Sequence, residues 1–145
     1  MKKLILLAFV ALMGAAACAD KGDTFYITEG AQTQTATITV NANEWEWFDN
    51  GEQAFYRVEK SAPIITNNVF RNGMVQMYFS FTDGGLQVQQ PLPFVSWIAY
   101  GDIIYSETID FDFWQGNVMI YYKISDFIPF DNGPGSLSFR LVVVH

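Results

Sequence analysis

The stretch MVQMYFSFTDGG, residues 74–85, decides the fold class because apolar and polar side chains alternate along it. The odd-numbered positions hold apolar side chains, namely Val75, Met77, Phe79 and Phe81, and polar side chains dominate the even-numbered positions. Successive side chains of a β-strand point to opposite faces, so this pattern predicts a strand with one face in a core. The turn formers at 83–85 then end the strand.

The same period of two recurs in both directions from this strand. The other segments are TATITVNA, EWEWF, AFYRVE, FVSWIAY, IIYSETIDFDF, NVMIYYKI and LSFRLVVV. Asp49-Asn50-Gly51 and Gly101-Asp102 are hairpin signals, the second of them for a type II′ turn. At most one helical turn is expected, near Thr66 to Arg71. These features predict an all-β domain over residues 32–145, a single antiparallel β-sandwich of immunoglobulin-like type with about seven or eight strands. A small closed barrel is the alternative.

The N-terminus has the three-part layout of a secretory signal. Two lysines, an apolar run and a group of small residues precede Cys18, and the apolar run is too short to span a bilayer. Ala15-Ala16-Ala17-Cys18 resembles the bacterial lipobox, in which the cysteine is acylated and becomes the first mature residue. We therefore expect a cleaved signal peptide over residues 1–17 and a lipidated tether over residues 18–31.

Cys18 is the only cysteine, so an exported chain has no disulfide partner for it. A diacylglycerol group attached through a thioether would occupy the cysteine sulfur. Two or more acyl chains hold a protein firmly in a membrane, whereas a single chain gives only marginal anchoring. The sequence thus predicts an exported protein whose membrane partner is reached through lipid on Cys18. Its expected location is the outer membrane, on the periplasmic side or the cell surface. The alternative is a cut nearby that leaves a free thiol or removes the cysteine.

The charge balance limits the class of partner. Loss of residues 1–17 removes two lysines and no acid, so the formal charge changes from −7 to −9. Binding to nucleic acid requires clustered Lys and Arg on one surface, and lying flat on anionic lipid requires basic residues. We therefore expect no nucleic acid partner.

Five motifs follow one another through residues 44–144: EWEWFDNGEQAFYRVE, PLPF, SETIDFDF, YYKISDF and FRLVVV. Their order and spacing resemble an uncharacterised family of small Bacteroidetes lipoproteins with a lipobox signal peptide and a β-sandwich domain. The resemblance implies an envelope lipoprotein with a sandwich fold, and it implies no activity.

Catalytic and metal-ligating residues are scarce in this sequence. His145 is the only histidine and the last residue, so a Ser-His-Asp or Cys-His arrangement would depend on a chain terminus. Zinc and copper sites use two or more His or Cys side chains. We therefore predict no catalytic residue, no metal site and no cofactor.

Two pairs of carboxylates are spaced two residues apart, as strand neighbours on one face would be. They are Glu44 with Glu46, and Asp110 with Asp112. Phe111 and its apolar neighbours alternate with the aspartates, which predicts that the aspartates lie on the water face of a half-buried strand. Two alternatives stay open: an acid/base pair of a small carboxylate-based hydrolase acting on glycans, and calcium ligation.

Aromatic side chains are abundant, with 4 Trp, 7 Tyr and 13 Phe. Trp45 and Trp47 share one parity, and they either fill the core or form a platform on which a sugar ring stacks. Trp97 lies in mid-strand and is expected in the core. Trp114 lies in a turn and is expected to be exposed as a ligand contact. These features predict a non-enzymatic binding or assembly module for a glycan or an envelope protein, with the hydrolase as the alternative.

Overall fold

The computed structural model describes residues 32–145 as nine antiparallel strands in two sheets. The strands are β1 (Thr33–Val40), β2 (Glu46–Asp49), β3 (Ala54–Ser61), β4 (Met74–Asp83), β5 (Leu86–Pro91), β6 (Phe94–Tyr100), β7 (Ile103–Trp114), β8 (Asn117–Ile124) and β9 (Leu137–Val144). A 3-10 turn (Ala42–Glu44) precedes β2, and one short helix, α1 (Asn67–Asn72), precedes β4. The predicted signal peptide, Cys18 and the tether lie outside the described residues.

One sheet has the strand order β1-β9-β4-β5 and the other the order β2-β3-β8-β7-β6. The prediction of an all-β antiparallel sandwich is confirmed, and two separate sheets with free edges are not a closed barrel. In the four-stranded sheet the first strand and β4 both pair with the last strand, β9, so the two ends of the domain are joined in one sheet. Within the described residues the strand number is nine, and β5 is the strand that the sequence analysis did not find.

The core lies between the sheets and comes from one face of each strand. In the four-stranded sheet Met77 of β4 and Phe139, Leu141 and Val143 of β9 are fully buried. In the five-stranded sheet every second residue of β8 is buried, from Val118 to Ile124. This alternation is the one that the sequence predicts, and it places the remaining residues of β8 on an outer face.

Turns and the helix follow local chemistry. Gly101 has φ 61°, and the residues on either side of Gly101-Asp102 pair directly, as the predicted two-residue hairpin requires. Thr66 caps α1 by accepting a hydrogen bond from the Val69 backbone N–H, which confirms the predicted helical turn. Within residues 32–145 no helix combines the length and apolar character needed to cross a bilayer.

The loops after β2, β4, β6 and β8 gather at one end of the sandwich, which we call the loop end. The register shows this, because Tyr122 near the end of β8 pairs with Tyr56 near the start of β3, and Ile124 pairs with Glu107 near the start of β7. Gln32 and His145 pair through their backbones at the opposite end.

Candidate functional site

The outer face of the five-stranded sheet carries a mixed row of aromatic and charged side chains. It arises because the inward residues of β7 and β8 fill the core, so their sequence neighbours must point outward. The outward residues that matter here are Phe48 (β2), Phe55 and Arg57 (β3), Tyr121 and Lys123 (β8), and Asp110, Asp112 and Trp114 (β7). A strand register with Tyr121 opposite Asp110 brings this set together.

An open groove of about 410 Å³ lies on this face. Its walls include Phe55, Asp110, Asp112, Tyr121 and Lys123. Both polar and apolar atoms therefore face the same space, which is typical of sites that orient a ligand by a few polar groups.

Aromatic rings form the apolar part of the groove and its continuation toward β2. Phe48 stacks on Phe55 with ring centroids 5.0 Å apart, and Phe55 meets Tyr121 edge to face at 5.4 Å. Two cations lie over this row: the Arg57 guanidinium is 4.7 Å from the centre of the Phe48 ring, and Lys123 Nζ is 5.2 Å from that of Tyr121. These contacts fix the ring positions.

Each aspartate of the groove has a specific partner. The Tyr121 hydroxyl donates to Asp112 Oδ2 at 2.9 Å, and Lys123 Nζ donates to Asp110 Oδ2 at 3.3 Å. Burial, followed by the hydrogen bond to Asp112 and its charge, raises the pKa of Tyr121 to about 12. The phenol is therefore a neutral donor at physiological pH, and it orients the Asp112 carboxylate.

The two aspartates confirm the predicted water face of β7. Ile109 is buried, Phe111 packs against the core, and Asp112 is exposed. Asp110 and Asp112 stand side by side on one strand, about 7 Å apart along the chain. They form one wall of the groove and do not face each other across it.

The tryptophans divide between the core and the surface. Trp45 and Trp47 are half-buried and pack against the core, where Trp45 Nε1 donates to the Gly135 carbonyl at 2.8 Å. Trp47 meets the buried Tyr56 edge to face at 4.8 Å. Trp114 is 37% exposed, as predicted, but it is the last residue of β7 and pairs with Asn117 instead of lying in the turn.

The expectation of a core position for Trp97 is wrong, because 73% of this residue is exposed. Trp97 pairs with Ser106 on β7, and Ser106 belongs to the outward parity that includes Asp110. The inward positions of β6 are held by its other parity, which includes Phe94 and Ser96. Mid-strand position therefore did not indicate burial.

Glu44 and Glu46 do not share a strand face, which corrects the second carboxylate pairing. Glu44 ends the 3-10 turn and accepts from the Asn41 backbone N–H, whereas Glu46 begins β2. Glu44 pairs with Lys60 at 2.6 Å, and this hydrogen bond is the main cause that lowers the pKa of Glu44. Glu46 pairs with Arg57 at 3.1 Å.

The described part of the chain contains no cluster of side chains that would support the calcium-ligation alternative. Among residues 32–145 no three His, Cys, Asp or Glu side chains lie close enough to hold a metal ion. His145 is exposed at the terminus.

Sequence reasoning missed Phe55, Tyr121 and Lys123 as groove residues. The sequence offered only the Gln115-Gly116 turn as a signal, and the register that this turn sets, with Tyr121 opposite Asp110, is known from the structure. Comparison with protein-family models, with curated proteins and with solved structures finds no match for this chain.

Proposed function

We propose that the outer face of the five-stranded sheet binds a glycan, and that the protein is a non-enzymatic binding module held in the bacterial envelope by lipid on Cys18. The observation that supports this most is the groove in which the Phe55 and Tyr121 rings lie beside the Asp110 and Asp112 carboxylates. Sugar rings offer apolar faces to aromatic rings and hydroxyl groups to carboxylates.

The extent of the surface suits an oligosaccharide better than a single ring. Tyr121 lies opposite Asp110, and Trp114 follows four residues along β7. This separation corresponds to about 13 Å along the strand. Tyr121 and Trp114 would then contact different rings of one glycan, with Asp112 between them accepting hydrogen bonds from hydroxyl groups.

A carboxylate-based hydrolase acting on glycans remains the competing proposal. Glycosidases place two carboxyl groups on either side of the bond that breaks. Here both aspartates stand on one strand, and each is already engaged, by Lys123 and by Tyr121. This arrangement favours binding over hydrolysis.

A glycan array probed with the chain from residue 19 onward, without lipid, tests the proposal, and calorimetry then measures affinity for each hit. Trp114→Ala should weaken binding about fivefold, because one aromatic contact contributes about 1 kcal/mol. Tyr121→Phe should weaken it through loss of the hydroxyl that orients Asp112. Trp97→Ala is the matched control, since this tryptophan is exposed on the same sheet but lies on the edge strand β6, opposite Ser106, and not on the line that joins Tyr121, Asp112 and Trp114.

Two results would contradict the proposal. One is glycan binding that both Trp114→Ala and Tyr121→Phe leave unchanged. The other is turnover of a bound glycan by the wild-type chain that Asp110→Asn abolishes, which would establish the hydrolase.

A further inference from the structure

Glu107 faces inward, unlike Asp110 and Asp112 on the same strand. Its parity on β7 is that of Ile109, which is 3% exposed. Its direct neighbours across the sheet are Ser96 on β6 and Ile124 on β8. A carboxylate is thus present between the sheets, near the loop end, with Ser96 as a polar neighbour on one side and the apolar Ile109 and Ile124 close by.

A cavity of about 140 Å³ opens beside Glu107. Its walls include Phe79 and Leu137 from one sheet and Phe94, Ser96 and Tyr122 from the other. A cavity of about 150 Å³ is large enough to hold benzene. This space therefore suits a short alkyl chain that carries one polar group.

One oxygen of Glu107 has a partner and the other is open. The Tyr122 hydroxyl donates to Oε2 at 2.5 Å. No described group donates a hydrogen bond to Oε1. Every described side-chain oxygen or nitrogen that is fully buried has a hydrogen-bond partner. Since Oε1 has none, it is not fully buried and can be reached from the cavity or from solvent.

Glu107 forms no ion pair with a described Lys, Arg or His side chain. The three ion pairs among residues 32–145 involve Glu44, Glu46 and Asp110, and none reaches Glu107. Burial, followed by the hydrogen bond to Glu107 and its charge, raises the pKa of Tyr122, so this phenol stays a neutral donor. Burial, followed by the negative charges of Glu107 and Asp126, also raises the pKa of Tyr105. The field at the cavity therefore favours a positive ligand.

We propose that this cavity binds an alkylammonium group, with Glu107 Oε1 as the acceptor and the Phe79, Phe94 and Tyr122 rings around the alkyl chain. Aromatic faces attract ammonium ions, and a carboxylate supplies the counter-charge. A metal ion is a poorer ligand, because calcium needs six to eight oxygens and the walls offer those of Glu107, Ser96 and Tyr122. The site lies on the opposite face of the sheet from the glycan groove and does not depend on the function proposed for that groove.

A purely structural role for Glu107 makes a different prediction. β6 is an unpaired edge of its sheet, and inward-pointing charges near an edge discourage strand pairing between molecules. In that role Glu107→Gln would promote self-association, and no amine would bind to the wild-type chain.

The test uses two probes. The first is n-butylammonium, which represents a free amine. The second is a peptide with one lysine and with blocked, uncharged termini, which represents a lysine side chain of a protein partner. Each is titrated into nitrogen-15-labelled chain from residue 19 onward. We expect saturable shifts at the amides of Ser96, Glu107 and Tyr122. Tighter binding of the peptide would assign the source to a protein, and tighter binding of butylammonium would assign it to a small amine.

Glu107→Gln should weaken binding at least tenfold, because it removes the charge and keeps the shape. Glu59→Gln, on the exposed side of β3, is the matched control and should bind like wild type. If circular dichroism shows that Glu107→Gln does not fold, Phe94→Leu replaces it, and a loss of severalfold is expected from removal of one aromatic face. Absence of saturable shifts with both probes, or equal affinity in the folded Glu107→Gln variant, would overturn the proposal.

Discussion

The hydrogen bond between Tyr121 and Asp112 gives the most direct check on the groove geometry. The Tyr121 hydroxyl donates to Asp112 Oδ2 at 2.9 Å, and the pKa of Tyr121 is raised from 10.0 to about 12. Asp112→Asn keeps an oxygen acceptor of the same shape and removes the charge. We expect the pKa of Tyr121 to fall in this variant and to stay above 10.0, because burial is the largest cause of the shift and persists.

The raised pKa also links Tyr121 to stability at alkaline pH. A group whose pKa is higher in the folded state stabilises the fold below its unfolded pKa, and this contribution is lost as pH rises through the folded pKa. For Tyr121 the window is pH 10 to about 12. One pKa unit corresponds to about 1.4 kcal/mol, and solvent screening at this partly exposed site reduces the two-unit shift to about 1 kcal/mol.

Carbon-13 labelling at the tyrosine Cζ atoms gives one NMR signal for each of the seven tyrosines. The signal that is missing in Tyr121→Phe belongs to Tyr121, and its pH titration gives the pKa. Urea unfolding of wild type and Tyr121→Phe at several pH values between 9 and about 12 measures the stability window, since the variant lacks the Tyr121 contribution and retains those of the other tyrosines. A wild-type Tyr121 pKa close to 10.0, or one that Asp112→Asn leaves unchanged, would refute the hydrogen-bond geometry described for the groove.

Four further outcomes are expected. Cys18→Ala should release the protein from the membrane fraction, and lipid still detected on the variant by mass spectrometry would contradict acylation at this residue. Leu141→Ala should lower the free energy of unfolding by about 3 to 5 kcal/mol in urea titrations, because Leu141 is 0% exposed and its removal leaves a cavity. Gly73→Ala should cost about 1 to 3 kcal/mol by the same measurement, since a Cβ there would clash with the backbone carbonyl oxygen of Val144. Trp97→Ala should change stability by no more than about 0.5 kcal/mol, because its side chain is exposed, and a larger loss would mean that Trp97 is packed.

The period of two predicted the sandwich because it reports directly on burial. On β1 the threonines at 35, 37 and 39 are exposed while Ile38 and Val40 are buried. On β8 the alternation is complete over eight residues. β1 has one polar and one apolar face, and on β8 only the outward face carries polar groups such as those of Asn117 and Lys123, so the hydrophobic effect favours a single orientation relative to the core.

The same rule fails where both faces of a strand are apolar or both are polar. On β6 either parity offers large apolar side chains, so periodicity alone does not determine that Trp97 points outward. The pairing of β6 with β7 settles it, because Phe94 lies opposite the buried Ile109. On β5 the sequence LQVQQP has little apolar surface and ends in proline, and such a strand forms because β4 supplies its backbone partners.

The candidate site was predictable only in part for a related reason. The sequence shows that Asp110 and Asp112 face water, because apolar residues alternate with them. It does not show which side chains lie next to them, since cross-strand neighbours depend on register. The Gln115-Gly116 turn sets that register, with Gly116 at φ 81° and Trp114 paired with Asn117.

That turn also connects the two proposed sites through one pair of strands. Asp112 and Glu107 are five residues apart on β7, an odd number, so they point to opposite faces of the sheet. Tyr121 and Tyr122 are consecutive on β8 and also point to opposite faces, so that Tyr121 donates to Asp112 outside and Tyr122 donates to Glu107 inside. A shift of one residue between β7 and β8 would separate both tyrosines from their carboxylates. The register that buries alternate residues of β8 is therefore the same one that positions both carboxylates, and the core packing that stabilises the sandwich also maintains the geometry of both sites.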